Sequence, residues 1–87
     1  MLPEPQSYFG QRVIGLRKPN AAGWAQGQCP FHRDLGAAFR VNLKWERPWW
    51  HCHGSPSCGS GGMVDFHSRL YGLTFEEAVA ELLQGAA

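Results

Sequence analysis

The sequence predicts an α+β fold, a small antiparallel sheet followed by two C-terminal helices. Three observations carry that expectation. Residues 39–45 alternate strictly, with Phe39, Val41, Leu43 and Trp45 on one face and Arg40, Asn42 and Lys44 on the other. Period two over such a run marks a half-buried strand. Thr74-Phe75-Glu76-Glu77 is a capping box, and Phe75, Ala78, Val79, Leu82 and Leu83 give the helix it opens one apolar stripe. Cys29-Pro30-Phe31-His32 and the pair Cys52 and Cys58 form two clusters, each after the end of an expected strand.

The 87 residues make one domain, 1–87. It divides into an irregular N-terminus over 1–10, hairpins and knuckles over 11–58, and two helices over 63–84. Pro3, Pro5 and Gly10 leave residues 1–10 irregular or in a short helical turn. Residues 12–18 read as a short strand, and Pro19-Asn20-Ala21-Ala22-Gly23 as the turn that sends Trp24 back toward Cys29 in a hairpin. Glu46-Arg47-Pro48 turns the chain again, and Trp49-Trp50-His51-Cys52 returns as a strand with proline before it. The glycine-rich stretch from Gly59 to Gly62 ends the sheet region. Met63–Tyr71 is a helix with Phe66 and Leu70 one turn apart, and Gly72 stands at its C′ position.

A chain this short buries a modest core, and such domains often need a metal or disulfide. Three cysteines cannot all pair, which argues against a secreted disulfide framework. Met1-Leu2-Pro3-Glu4-Pro5 lacks a basic start and an apolar core, so no secretory signal is expected. Nor does any apolar run approach the roughly 20 residues of a membrane helix. A reducing cytoplasm is the expected compartment. The net charge of +1 decides nothing about partners, but its distribution does. Basic residues cluster between Arg12 and Arg47, whereas only Glu76, Glu77 and Glu81 follow Arg69.

Three cysteines and one histidine in two turns complete a tetrahedral sulfur and nitrogen shell of the kind structural zinc prefers. Cys29, His32, Cys52 and Cys58 are the expected ligands of one zinc ion, held at the knuckles of a zinc ribbon. Five residues separate Cys52 from Cys58, and Gly54 and Pro56 make that loop turn-prone. The fourth ligand has rivals. His53 lies inside the loop and can replace a cysteine, His67 lies on the next helix, and His51 points to the face opposite Cys52. A catalytic zinc keeps a position open, and four protein ligands leave none. Asp34, Glu46 and Asp65 are the acids near the site, and nothing in their spacing pairs them with the metal. No catalytic residue is therefore assigned.

The order Cys29-Pro30-Phe31-His32, alternating strand, aromatic strand into Cys52, then Cys58-Gly59-Ser60-Gly61-Gly62-Met63-Val64-Asp65-Phe66 resembles the zinc-binding domain of bacterial and phage DnaG-type DNA primases. Residues 71–79 resemble the segment that opens that family's last helix, so the likeness runs over about residues 24 to 83. It implies a zinc ribbon that binds single-stranded template and supports primer synthesis in replication, within a primosome. It also implies a separate catalytic partner, in trans or as a further C-terminal domain. The five-residue loop and Arg33-Asp34 after His32 depart from the family and point to a divergent branch, such as one on a mobile element.

Single strands bind basic grooves with aromatic platforms, because phosphates need cations and every base has a π-face. The second hairpin offers Arg40, Lys44 and Arg47 with Trp45 and Trp50 as the expected nucleic-acid contacts. Trp49 and Trp50 are adjacent in a strand, so only one can face the core. Arg12, Arg17 and Lys18 extend the surface if the first hairpin joins the same sheet, and His51 and His53 can reach phosphate. The competing expectation is a stand-alone protein-interaction or regulatory module that docks a partner through an exposed tryptophan and the acidic last helix.

Overall fold

The computed structural model describes residues 2–31, 39–44, 47–53 and 59–84. Its elements are α1 (Pro5–Gly10), β1 (Trp24–Gly27), β2 (Phe39–Asn42), β3 (Trp49–Cys52), β4 (Gly59–Gly61), α2 (Met63–Tyr71) and α3 (Phe75–Leu83). The four strands form one antiparallel meander in the order β1-β2-β3-β4. This is the α+β architecture expected, a small sheet with C-terminal helices.

Register divides the sheet into two faces. Ala25, Val41 and Trp50 lie in one row, and Gly27, Phe39 and Cys52 in another on the same face. All but the glycine are apolar, and each of these is at most 1% exposed. Between those rows run Gln26, Arg40, His51 and Ser60, which point the other way. Phe66 of α2 packs on the inner face and holds the core together. Its ring centroid lies 4.8 Å from Phe9, 5.3 Å from Phe31, 5.8 Å from Phe39 and 6.2 Å from Trp50. These are mostly edge-to-face contacts, which the ring quadrupole favours. Phe39 and Trp50 stack across β2 and β3 at 15°.

Several elements differ from the sequence expectation. Residues 5–10 form a helix because Glu4 caps it, accepting from the Gln6 and Ser7 backbone N–H groups, and because Tyr8 and Phe9 are buried. Residues 12–18 are no strand. Arg17 N–H donates to Gln26 and Gln28 N–H to Ile14, a fragment of ladder beside β1. Gly15 interrupts it at φ 70°, a left-handed conformation that ends regular extension. The glycine segment does not end the sheet; Gly59–Gly61 is its fourth strand. Glycine suits Gly61 because the Asp65 carboxylate fills the place of a Cβ. β2 stops at Asn42, and Trp45 lies outside the described residues.

The helices end as expected. Gly72 closes α2 at φ 66°, and the Thr74 hydroxyl accepts from Glu77 N–H while the Glu77 carboxylate accepts from Thr74 N–H. That reciprocal bond, first through the backbone, holds the Glu77 carboxyl below its ordinary pKa. The stripe of α3 is narrower than its spacing implied. Ala78 and Leu82 are buried, whereas Phe75 is 66% and Leu83 53% exposed.

One polar chain crosses the core. The Tyr8 hydroxyl lies 2.6 Å from His67 Nδ1, and His67 Nε2 lies 2.9 Å from Glu81 Oε1. Burial pushes the Tyr8 phenol well above its ordinary pKa, although the Arg12 guanidinium stacked 4.0 Å over its ring pulls it down. The chain ties α1 to α2 and α3.

Phe66→Ala is expected to cost about 3–5 kcal/mol, the range for truncating a buried aromatic. A urea midpoint close to that of the parent protein would refute its central place. Tyr8→Phe keeps the ring and removes the partner of His67 Nδ1, so a loss of about 1–3 kcal/mol is expected in the same titration.

Candidate metal centre and nucleic-acid interface

The two cysteines that the structure places share one end of the sheet. Cys52 closes β3 and pairs with Phe39 on one side and Gly59 on the other. Phe39 in turn pairs with Gly27, two residues before Cys29. Both cysteines are buried, at 3% and 0% exposure. His32 and Cys58 lie outside the described residues, and no group of three or more potential ligands occurs among the described ones. The structure does place the residues that border these two positions. Phe31 rests on Trp50 at 5.2 Å, and Gly59 begins β4 opposite Cys52.

This donor chemistry fits zinc. Thiolates are costly to bury without a cation, and a metal at the sheet end supplies one. Arg69 adds a fixed positive charge there, its guanidinium lying 5.3 Å from the Trp50 ring centroid and beside Gly59.

The rival histidines fall elsewhere. His53 shares a concavity with His51, Trp24, Arg40 and Trp49, on the sheet face opposite Cys52. The two imidazoles meet edge to face at 4.3 Å. Desolvation lowers the His53 pKa, and His51 and Arg40 add to that effect. Both ring nitrogens of His67 are occupied by Tyr8 and Glu81.

The outer sheet face is aromatic and basic. Trp24, Asn42 and Trp49 form one row, and Gln26, Arg40 and His51 the next. Arg40 lies near the middle with its Cζ 5.5 Å from the Trp24 ring centroid. Its Nε is buried and has no hydrogen-bond partner among the described residues. The concavity over Trp24, Arg40, Trp49, His51 and His53 holds about 360 Å³. A second, of about 210 Å³, is lined by Arg17, Lys18, Asn20, Trp24, Gln26 and Arg40. Trp24 and Arg40 line both, so the two adjoin, and together they are the groove of the outer face.

This surface corrects part of the expected interface. Trp50 is fully buried, and its indole N–H donates to the Gly62 carbonyl, so it offers no face to a base. Its neighbour Trp49 is the exposed one, at 45%. Asn42 is buried too, where its amide donates to the Ala22 carbonyl and its Oδ1 accepts from Lys44 N–H. Lys44 sits past the end of β2, with its Nζ donating to the Ala21 carbonyl, and does not line the groove. Arg47 lines a different, apolar recess with Leu2, Pro48, Met63 and Phe75. Of Arg40, Lys44, Arg47 and Trp50, Arg40 alone stands in the groove, which Arg17, Lys18, His51 and His53 also line. The sequence places Trp24 on the return arm of a hairpin and does not single it out; only the register aligns it with Trp49.

The chain matches the CHC2 zinc finger family, the DnaG zinc ribbon, over residues 9–87. It is 31% identical over 68 residues to a DNA primase of Deinococcus radiodurans. That match takes in 78% of this chain and 11% of the primase, so the chain corresponds to a small part of that protein. No solved structure matches it.

Chelation at neutral pH is expected to abolish the cooperative thermal transition, because structural zinc binding is coupled to folding. Calorimetry with and without chelator checks this, and an unchanged transition would exclude a structural metal.

Proposed function

This chain belongs to the CHC2 zinc finger family, and we propose that it is the template-binding part of a DNA primase. In this reading it carries no catalytic residues. It holds single-stranded DNA on the outer sheet face and supports primer synthesis by a catalytic polypeptide. That polypeptide acts in trans or as a further domain of the same protein. Cys29, His32, Cys52 and Cys58 would hold one zinc ion, whose contribution is to fix the strand ends.

The observation that carries the reading is the groove through Trp24 and Arg40. Bases stack on indole faces, and phosphates meet fixed cations. Trp49 supplies the first, Arg17 and Lys18 the second, and Arg40, against Trp24, lines both halves of the groove. The groove lies on the face away from the core, so a strand can occupy it without disturbing Phe66 or the metal end.

A second reading has one observation in its favour. Phe75, Leu83 and Leu2 are exposed at 66%, 53% and 44%, beside the acidic Glu76 and Glu77. Such a surface suits a protein partner. It lies on the helical side, so the two readings are compatible and separable by mutation.

In anisotropy titrations with a single-stranded oligonucleotide, Trp49→Ala is expected to weaken binding by about 1–3 kcal/mol, the value of one stacked base. Arg40→Ala, at the centre of the groove, should weaken it as well. Arg47→Ala, outside the groove, should change little. Equal affinity of all three variants and the parent protein would overturn the assignment, and so would absence of binding at low salt.

A further inference from the structure

We infer that the larger half of the groove is a guanine pocket, in which an unstacked base lies on Trp49 and presents its Hoogsteen edge to Arg40. The inference rests on the reading that the sheet face binds single-stranded DNA, and deepens it from a general surface to a base-selective one.

Size comes first. About 360 Å³ is at the small end of the roughly 300–1,000 Å³ typical of ligand pockets. It suits one nucleotide better than a run of stacked bases. Trp24 and Trp49 flank it from β1 and β3, on either side of Asn42. Two inter-strand steps put their backbones about 10 Å apart. The Arg40 guanidinium already lies against Trp24, which leaves the exposed face of Trp49 as the open platform.

Hydrogen-bond chemistry then chooses the base. A guanidinium only donates, and its fork suits two acceptors side by side. Guanine offers N7 and O6 in that arrangement, whereas adenine sets an amino donor beside N7. Trp24 backs the guanidinium and limits its freedom. Unpaired cytosine also has two adjacent acceptors, but a purine covers more of the Trp49 face. Guanine satisfies both the platform and the fork.

The other half of the groove has a different task. Arg17 and Lys18 are exposed and lie beside Gln26 at the outer edge of β1. They suit the phosphates of the neighbouring nucleotides and carry no base preference. Selection and general affinity are thereby assigned to different residues.

The test uses the zinc-loaded full chain and oligothymidylate nonamers with one central dG, dA, dC or 7-deaza-dG, read by anisotropy at fixed low salt. The dG nonamer is expected to bind at least about tenfold more tightly than the dA and 7-deaza-dG nonamers. Arg40→Lys keeps the charge and loses the fork, so the preference should vanish while the salt slope stays. Replacing Arg17 and Lys18 by Ala should weaken all nonamers alike. Circular dichroism verifies that the variants are folded. Binding without preference for dG, or a preference for dC, overturns the guanine pocket and leaves the sheet-face reading standing. No binding to any nonamer overturns both.

Discussion

Phe66 is the contact on which the rest of the molecule depends. It brings the first helix of the C-terminal half against rings from α1, the Cys29 turn, β2 and β3. A sheet of four short strands has too little area to be stable alone, and a helix on one face supplies what is missing. Once Phe66 covers the inner face, strand alternation decides the outer one. Trp50 must turn inward to meet Phe66, so Trp49 must turn outward. The exposed tryptophan follows from the packing of its neighbour.

The same alternation separates two kinds of chemistry that lie close in sequence. Cys52 belongs to the inner face, and His51 and His53 to the outer one. Residues one position apart therefore lie at the sheet end and in the groove without competing. Arg69 and Arg40 show a similar division. Arg69 lies against Phe31 and Trp50 at the metal end, whereas Arg40 lies against Trp24 in the groove. Each cation rests on an aromatic face that partly shields it from water, which strengthens what it does to a nearby anion.

Much of this was legible in the sequence where local chemistry alone decides. The capping box at Thr74, the left-handed Gly72, and the opposite facing of Trp49 and Trp50 all follow from neighbours within four residues. What was not legible depends on register or on distant partners. β4 has no side-chain alternation to read, since Gly59 and Gly61 flank a single serine, and only pairing with β3 makes it a strand. α1 is capped by Glu4, an unusual choice, and its two buried rings find their partners nearly sixty residues away. Residues 12–18 looked extended, but Gly15 breaks them. For the interface, the charge of Arg40 was evident, but the choice between Trp49 and Trp50 needed the core, and Trp24 needed the register.

The geometry also indicates what a metal at one end would do for a groove that lies over the middle. The outer rows exist only if β1, β2 and β3 keep their register, because Trp24, Arg40 and Trp49 come from three different strands. These strands are four residues long, and their sliding by one position would turn every outer residue inward. The apolar contacts of Phe66 favour the correct register, yet greasy surfaces tolerate shifts better than ligand bonds do. Bonds from Cys29 and Cys52 to one ion would tie the end of β1 to the end of β3, across β2. A metal site of this kind fixes the spacing between Trp24 and Trp49 without touching either. On the proposed reading such an ion would act on recognition only through register, which is how a buried, closed site can govern an exposed surface.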